Sequence, residues 1–305
     1  MLVTIFGGGG FVGRYVAQEL LARGMRVRVA GRNPGDAMRV KPLGGLGQTQ
    51  LVRADVTDAA SVARAVAGAD AVVNLVAVLD GKLDAINHQG AANVAQAVAD
   101  AGIETFVHIS AIGADPASDS AYGRSKGQGE QAVRAACPNA IIICPSIIFG
   151  REDQFTNRFA GMARLMPVLP VLAPETKFQP VYVVDVARAI AEAVANGKVH
   201  AGRTFELGGP QLMSMLEINR FIAEHSGHGR ALLPMPDVAG SLLSLIPCSP
   251  ITRDQWKMLA RDTVVGPDAA GLADLGIAPT PMGAVADSWL VTYRKHGRFS
   301  RRARA

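Results

Sequence analysis

Tyr122 and Lys126 stand four residues apart, a spacing that sets both side chains on one face of any helix containing them. There the ammonium can draw the phenol's pKa down from about 10, and the same amine can hold a cofactor ribose. Proton donation by a tyrosine requires that arrangement. The same string also suits the start of an ordinary amphipathic helix, so its meaning depends on the elements around it.

A second chemical feature lies at the N-terminus. Leu2, Val3, Ile5 and Phe6 form a short apolar run that passes directly into Gly7-Gly8-Gly9-Gly10-Phe11-Val12-Gly13 and the helical pattern Val12, Val16, Leu20. Four consecutive glycines satisfy both Gly7-x-x-Gly10-x-x-Gly13 and Gly8-x-Gly10-x-x-Gly13. In either spacing, glycines let the backbone approach a pyrophosphate that sits on the unpaired N–H groups at the positive end of a helix. A tight strand-to-helix turn needs glycine for steric reasons as well. The placement between a first strand and a first helix favours a nucleotide.

The end of the next strand, Met25 to Ala30, specifies which nucleotide. An acidic residue about 20 positions after the glycine turn bonds a ribose 2′-hydroxyl, whereas an arginine there accommodates a 2′-phosphate. This chain carries Arg32 at that position, and Asp36 lies beyond Pro34. NADP(H) is the expected cofactor, the other reading of Arg32 being an exposed strand-end base.

Behind these residues the chain alternates strands and helices. Gln50 to Arg53, Ala69 to Ala77, Thr105 to Ser110 and Ala140 to Cys144 read as strands, and Ser61 to Ala67, Asn87 to Ala101 and Ser125 to Ala136 as helices. Ala69 to Ala77 is almost continuously apolar, as a strand buried on both faces should be. The pattern predicts an α/β fold, a doubly wound parallel sheet of Rossmann type with right-handed crossovers. Asp55 meets the adenine edge in that frame, caps the following helix, or does both. His88 and His108 read as packing or helix-start residues. No histidine pair has metal spacing, and Cys137, Cys144 and Cys248 contain no CxxC, so no metal site is expected.

Taken together, the N-terminal turn, Asp55-Val56, the strand end Asn74-Leu75-Val76-Ala77, Tyr122 with Lys126, and Pro145-Ser146-Ile147-Ile148-Phe149-Gly150 resemble a short-chain dehydrogenase/reductase of the extended or atypical branch. Gln179 to Ala187 resembles the stretch with which that branch returns from its substrate lobe. More narrowly, Pro145 to Phe155 and Leu275 to Thr280 are similar to the NADPH-binding accessory subunits of respiratory complex I and their bacterial relatives. The resemblance implies a cofactor site built from Gly7, Gly10, Phe11, Val12, Gly13, Arg32, Asp55, Val56, Val76, Ala77, Ser110, Tyr122, Lys126, Pro145 and Ile147. It also implies Tyr122 and Lys126 as the catalytic pair and a partner in the respiratory chain or the quinone pathway. One departure bears on catalysis. The serine that orients substrate in active members falls at Ala111 or Ile112, counting back from Tyr122, and neither carries a hydroxyl. Ser110 substitutes for it, or the Tyr/Lys pair serves only to hold the nicotinamide ribose.

From these signals, residues 1–150 form the dinucleotide-binding domain, completed by about 179–208. Residues 151–178 and 209–293 form a small C-terminal lobe, and 294–305 a basic tail. Within the lobe, Phe155 to Leu165, Val186 to Ala195 and Ser214 to Ser226 read as helices, the last with a capping box at Ser214 and Glu217. The chain has 31 Lys and Arg against 26 Asp and Glu, and six of the bases lie in the last twelve residues, where there is no acid. Removing those six leaves 25 against 26, so the body is neutral and no nucleic-acid partner is expected. Leu232 to Ile251 interleaves apolar residues with four prolines. It closes the lobe or, with the tail, makes peripheral contact with a membrane. The first strand begins at residue 2 and no run of about 18 apolar residues occurs, so a cytoplasmic chain is expected, with any membrane contact on the inner face.

Overall fold

The computed structural model describes residues 1–244 and 251–299. They form two units. The first comprises Met1–Pro145, Val183–Leu207 and Val265–Ala278, and the second comprises Ser146–Tyr182, Gly208–Val264 and Pro279–Ala305.

In the first unit the apolar runs become parallel strands: β1 (Leu2–Phe6), β2 (Arg26–Gly31), β3 (Thr49–Arg53), β4 (Ala71–Asn74), β5 (Thr105–Ile109) and β6 (Ile141–Pro145). With the strand Thr204–Leu207 they make one seven-stranded sheet in the order Thr204–Leu207, β6, β5, β4, β1, β2, β3. Every residue of β4 and β6 is buried, as expected where helices cover both faces. Those helices are α1 (Phe11–Ala22), α2 (Ala59–Val66), α3 (Gly90–Asp100), α4 (Ala121–Ala136) and a later one, Val183–Ala195. Phe6, Val62, Val72, Val94, Phe106, Val133 and Ile142 share one core cluster. Helix α1 packs on Val183–Ala195 through its own buried stripe of Val16, Ala17 and Leu20. The strand order reverses between β1 and β4, which is where doubly wound sheets open a crevice at their carboxyl ends.

Local chemistry moves several boundaries away from those expected. Helix α4 starts at Ala121, not Ser125, because Ser120 caps it by accepting from the Gly123 amide at 3.2 Å. The Ser125 hydroxyl instead donates back to the Tyr122 carbonyl at 2.9 Å. Asp58, and not Asp55, caps α2, accepting from the amides of Ala60 and Ser61. The expected long fourth strand stops at Asn74, and α3 is entered through a π-helical turn, Asp84–Gln89. A 3₁₀ segment at Pro34–Leu43, capped by Asn33, follows β2.

The second unit is built on the helices Phe155–Leu165 and Met215–His225, the latter with both bonds of the Ser214/Glu217 capping box. Short strand pairs join Ile148–Phe149 to Val181–Tyr182, Lys177–Phe178 to Met213–Ser214, and Val168–Val171 to Ala231–Pro234. Phe149, Phe178, Ile218, Ile222, Trp289 and Leu290 form its core. The buried Asp153 carboxylate accepts from the Gly150 amide at 2.8 Å and the Thr156 hydroxyl at 2.6 Å, and burial raises its pKa. Trp289 donates to Thr156, and the Tyr293 hydroxyl to Asn157 at 2.9 Å, so residues 289–293 are bolted to the same helix.

Three boundary expectations are corrected. Val265–Ala278 belongs to the first unit and not to the lobe, because it is bonded to the edge strand. Glu206 donates its amide to Ala270 at 2.8 Å and accepts from the Gly266 amide at 2.8 Å. The first unit's opening segment ends at Pro145 and not at 150. The basic tail does not begin as a free end at residue 294. Arg294 donates to the His225 carbonyl at 2.9 and 3.1 Å and pairs with Asp287 at 3.2 Å. Of the apolar segment, Ala231–Pro234 is a strand and Asp237–Leu243 a helix. Leu245, Ile246, Pro247, Cys248 and Pro250 lie outside the described residues, as do Arg301, Arg302 and Arg304. Among the described residues no helix is long and apolar enough to cross a membrane.

Candidate functional site

The glycine turn leaves β1 at Phe6. Gly7 has φ +78°, a backbone conformation that suits glycine, and a Cβ there would press the backbone of Leu75 and Val76 at 3.3 Å. A Cβ on Gly13 would fall on the Gly7 carbonyl oxygen and 2.5 Å from the Gly8 Cα. Helix α1 is therefore seated directly on the turn. Gly10 caps α1 with no side chain, and its amide donates to Gly7 at 3.0 Å. The first amides of a helix have no intrahelical acceptor, and no acidic side chain occupies this first turn. Phe11 and Val12 are half-buried beside it. This is the geometry of a pyrophosphate cradle made from backbone.

The ends of the neighbouring strands supply the rest of this edge. Arg32 is exposed just past β2. Asp55, past β3, accepts at Oδ1 from the amide and hydroxyl of Thr57 at 2.9 and 2.8 Å. Those bonds, with weaker help from Arg32 and Lys82, hold its carboxyl below the usual range. Val56 is buried against Gly90, where a Cβ would meet its Cγ2 at 2.7 Å. Val76 donates to Asn74 Oδ1 at 3.1 Å, and Ala77 beside it is exposed.

Beyond the order reversal, the polar groups are engaged with one another. Asn74 contacts His108 Nδ1 at 3.2 Å, and burial, helped by Lys126, drives His108's pKa well below its ordinary value. Asn87 is fully buried. It accepts from the Val78 amide and donates to the Val78 carbonyl, both at 2.9 Å, and it donates to Ser125 Oγ at 3.1 Å. A Cβ on Gly129 would fall on the Asn87 carbonyl oxygen, so glycine in α4 permits the close approach at a cost of about 0.5–1 kcal/mol relative to alanine. Asn87 was absent from the sequence-based site. Its one signal was an amide placed four residues before a buried alanine face.

Tyr122 and Lys126 share the first turns of α4, yet their electrostatics reverse the expectation. Lys126 is buried and its Nζ donates to the Ile109 carbonyl at 2.7 Å. Burial brings its pKa down to about 8, against opposition from Glu130 and Cys144. Burial pushes the Tyr122 phenol up to about 12. Ser110 is buried right after β5, its amide donating to Ile143 at 2.7 Å, while its hydroxyl has no hydrogen-bond partner. Ala111 and Ile112 follow, half-buried and without hydroxyls. Pro145 ends β6 in the first unit, and Ile147 belongs to the second. Among the described residues no group of three or more His, Cys, Asp or Glu could hold a metal ion.

The family model of the NAD dependent epimerase/dehydratase proteins matches residues 3–208. The chain is 35% identical over 295 residues to NADH dehydrogenase [ubiquinone] 1 alpha subcomplex subunit 9 of Rattus norvegicus, covering 92% of this chain and 78% of that protein. It is 32% identical to the subunit of that name from Arabidopsis thaliana, covering 97% and 79%. Among solved structures, a dTDP-glucose 4,6-dehydratase from Streptomyces venezuelae superposes with a TM-score of 0.75 at 20% identity, covering 96% of this chain and 97% of that one. An NADPH-dependent quinone oxidoreductase from Escherichia coli superposes at 0.72 and 17% identity, covering 94% and 98%.

Proposed function

The chain belongs to the NAD dependent epimerase/dehydratase family, and from that premise we propose that it is an NADP(H)-binding accessory or assembly protein of NADH:ubiquinone oxidoreductase or of ubiquinone metabolism. Likeness to complex I subunits along almost the whole chain carries the partner. The glycine cradle and Arg32 support the cofactor, whose adenosine 2′-phosphate Arg32 would meet. Val76, Ala77, Ser110, Tyr122, Lys126 and Pro145 would line its nicotinamide half. The group supplies hydride when bound. In this reading the chain's own residues bind and orient it, and the missing hydroxyl at Ala111 and Ile112 leaves substrate unpolarised. Contact with the inner face of a membrane belongs to the same proposal and is supported by the exposed Leu233, Val238 and Leu242.

A second reading, an active NADP-dependent reductase or epimerase, rests on Ser110. Its buried hydroxyl is unpartnered and follows the carbonyl that holds Lys126. Tyr122 would then donate the proton and Lys126 would hold the ribose. Purification followed by mass spectrometry of any retained nucleotide, and by oxidation assays with quinone analogues and carbonyl compounds, separates the two readings. Retained NADP(H) without turnover, together with co-purification with the respiratory complex, is the expected result. Hydride transfer abolished in Tyr122→Phe overturns the accessory reading, and absence of any nucleotide affinity overturns both.

A further inference from the structure

The second unit contains an open cleft of about 660 Å³ lined by Arg164, His228, Arg230, Tyr293, Arg294 and Lys295 together with small residues, and among the described residues no carboxylate lines it. Clefts lined by one sign of charge concentrate counter-ions. Two of the arginines and the histidine are also held in place. Arg294 donates twice to the His225 carbonyl, and Gly227, at φ +75°, lies so close that a Cβ would meet its Cγ at 2.8 Å. Arg230 donates through Nε to the Ala163 carbonyl at 3.1 Å, next to Arg164. His228 Nε2 contacts the Tyr293 carbonyl at 2.9 Å. Three separate segments are thereby tied around one basic space. Acids nearby include Asp287, paired with Arg294, Glu224, which lines an adjoining cavity with Arg220 and Arg230, and Asp153. Burial, helped by the Asp153 charge, raises the Tyr293 phenol's pKa. Four permanent cations line the cleft itself.

We propose that this cleft is a binding site for a phosphate-bearing anion. Guanidinium forks match phosphate oxygens in pairs, and arginines already fixed by main-chain bonds lose less freedom on binding. The cleft is larger than a single phosphate needs, which suits a phosphate ester or diphosphate. The site lies within the second unit and does not depend on the cofactor reading of the first.

The test is calorimetric titration of the full chain with inorganic pyrophosphate at about 0.15 M salt, alongside flotation with vesicles of phosphatidylcholine with and without phosphatidylglycerol. Three variants accompany the wild type: Arg164→Glu/Arg230→Glu, the milder Arg164→Gln/Arg230→Gln, and the charge control Arg26→Glu/Lys198→Glu, whose residues are exposed in the first unit. Thermal melts confirm folding, and the Gln pair serves if the Glu pair does not fold. Pyrophosphate binding weakened about ten-fold or more by the cleft variants, and unchanged in the control, supports a site for a soluble phosphate compound. Binding only to phosphatidylglycerol vesicles, with the same variant pattern, supports the same site filled by a lipid headgroup. Absence of binding to either probe, or equal loss in the cleft and control variants, overturns the proposal.

Discussion

The two sides of the strand-order reversal are finished differently. At the ends of β1, β2 and β3 the chain presents open backbone amides, an exposed Arg32 and a carboxylate kept ionised by Thr57. At the ends of β4 and β5 it spends its polar groups internally, Ser110 apart: Asn74 on His108, Asn87 on Val78 and Ser125, and Lys126 on Ile109. The first side can receive phosphate without rearrangement. On the second, one N–H of the buried Lys126 ammonium is already spent in a charge-assisted bond of a kind worth about 1.5–3 kcal/mol, and only its remaining protons are open to a ligand. In the proposed reading, binding draws on the backbone, whereas chemistry would draw on side chains that already hold one another.

The strongest way to break this contrast is Gly13→Ala. The new methyl would land on the Gly7 carbonyl and against Gly8, both main chain, so relief requires α1 to move off the turn. We expect a loss of about 3 kcal/mol or more in denaturant unfolding, with nucleotide binding abolished in calorimetry. Near-native stability and affinity would show that the turn is not the rigid cradle described. Arg32→Ala should act on binding alone. A lost charge-assisted phosphate contact weakens NADP(H) by about 10–100-fold and leaves NAD(H) unchanged. Equal affinities for the two cofactors, unaltered by the substitution, would remove the 2′-phosphate reading.

Lys126→Met sharpens the comparison on the other side. The folded chain holds this proton less tightly than the unfolded chain, with a pKa of about 8 against 10.5. The unfolded state thus binds more protons between those values, and stability rises with pH across that window. The penalty is fully present below pH 8 and fades above it, by about 1 kcal/mol per unit near pH 8.5. From about pH 8 upward the raised pKa values of Cys144 and Cys137, and nearer pH 10 that of Tyr122, act in the opposite sense and increasingly so, so melts belong between pH 7.5 and 9. Wild type should gain stability over that interval and Lys126→Met should not. Parallel curves would mean that Lys126 is solvated.

What the sequence makes legible here is local. The β1–α1 turn, the Arg32 position and the Tyr122/Lys126 spacing each lie within a few residues, and the structure places them at strand ends and on one helix. What it hides depends on distant groups. Lys126 is captured by a carbonyl 17 residues away, and no helical pattern encodes that. Val265–Ala278 returns to the first unit through a main-chain bond from Glu206 and a bond from the Gly266 amide to the Glu206 carboxylate, partners about 60 residues apart that no local pattern connects. Asn87 escaped notice because a buried amide is recognised only by the partners it satisfies. Periodicity also misplaced the start of α4, since Ser120 and Ser125 are equally good caps by composition and only Ser120 has a free amide to accept from.

The smallest expected effect is also the most diagnostic for the unsettled side of the sheet. Ser110 buries a hydroxyl without a partner, and such a group costs about 1–3 kcal/mol in desolvation when nothing repays it. If the chain only binds its cofactor, Ser110→Ala removes that cost, raises stability by up to about 1 kcal/mol after the loss of packing, and changes nucleotide affinity less than three-fold. If the chain turns over substrate, the hydroxyl is kept for a reason that stability does not show, and the same variant loses hydride transfer while melting higher. Measured together, melting temperature and turnover thus distinguish an idle serine from one that stands in for the hydroxyl missing at Ala111 and Ile112.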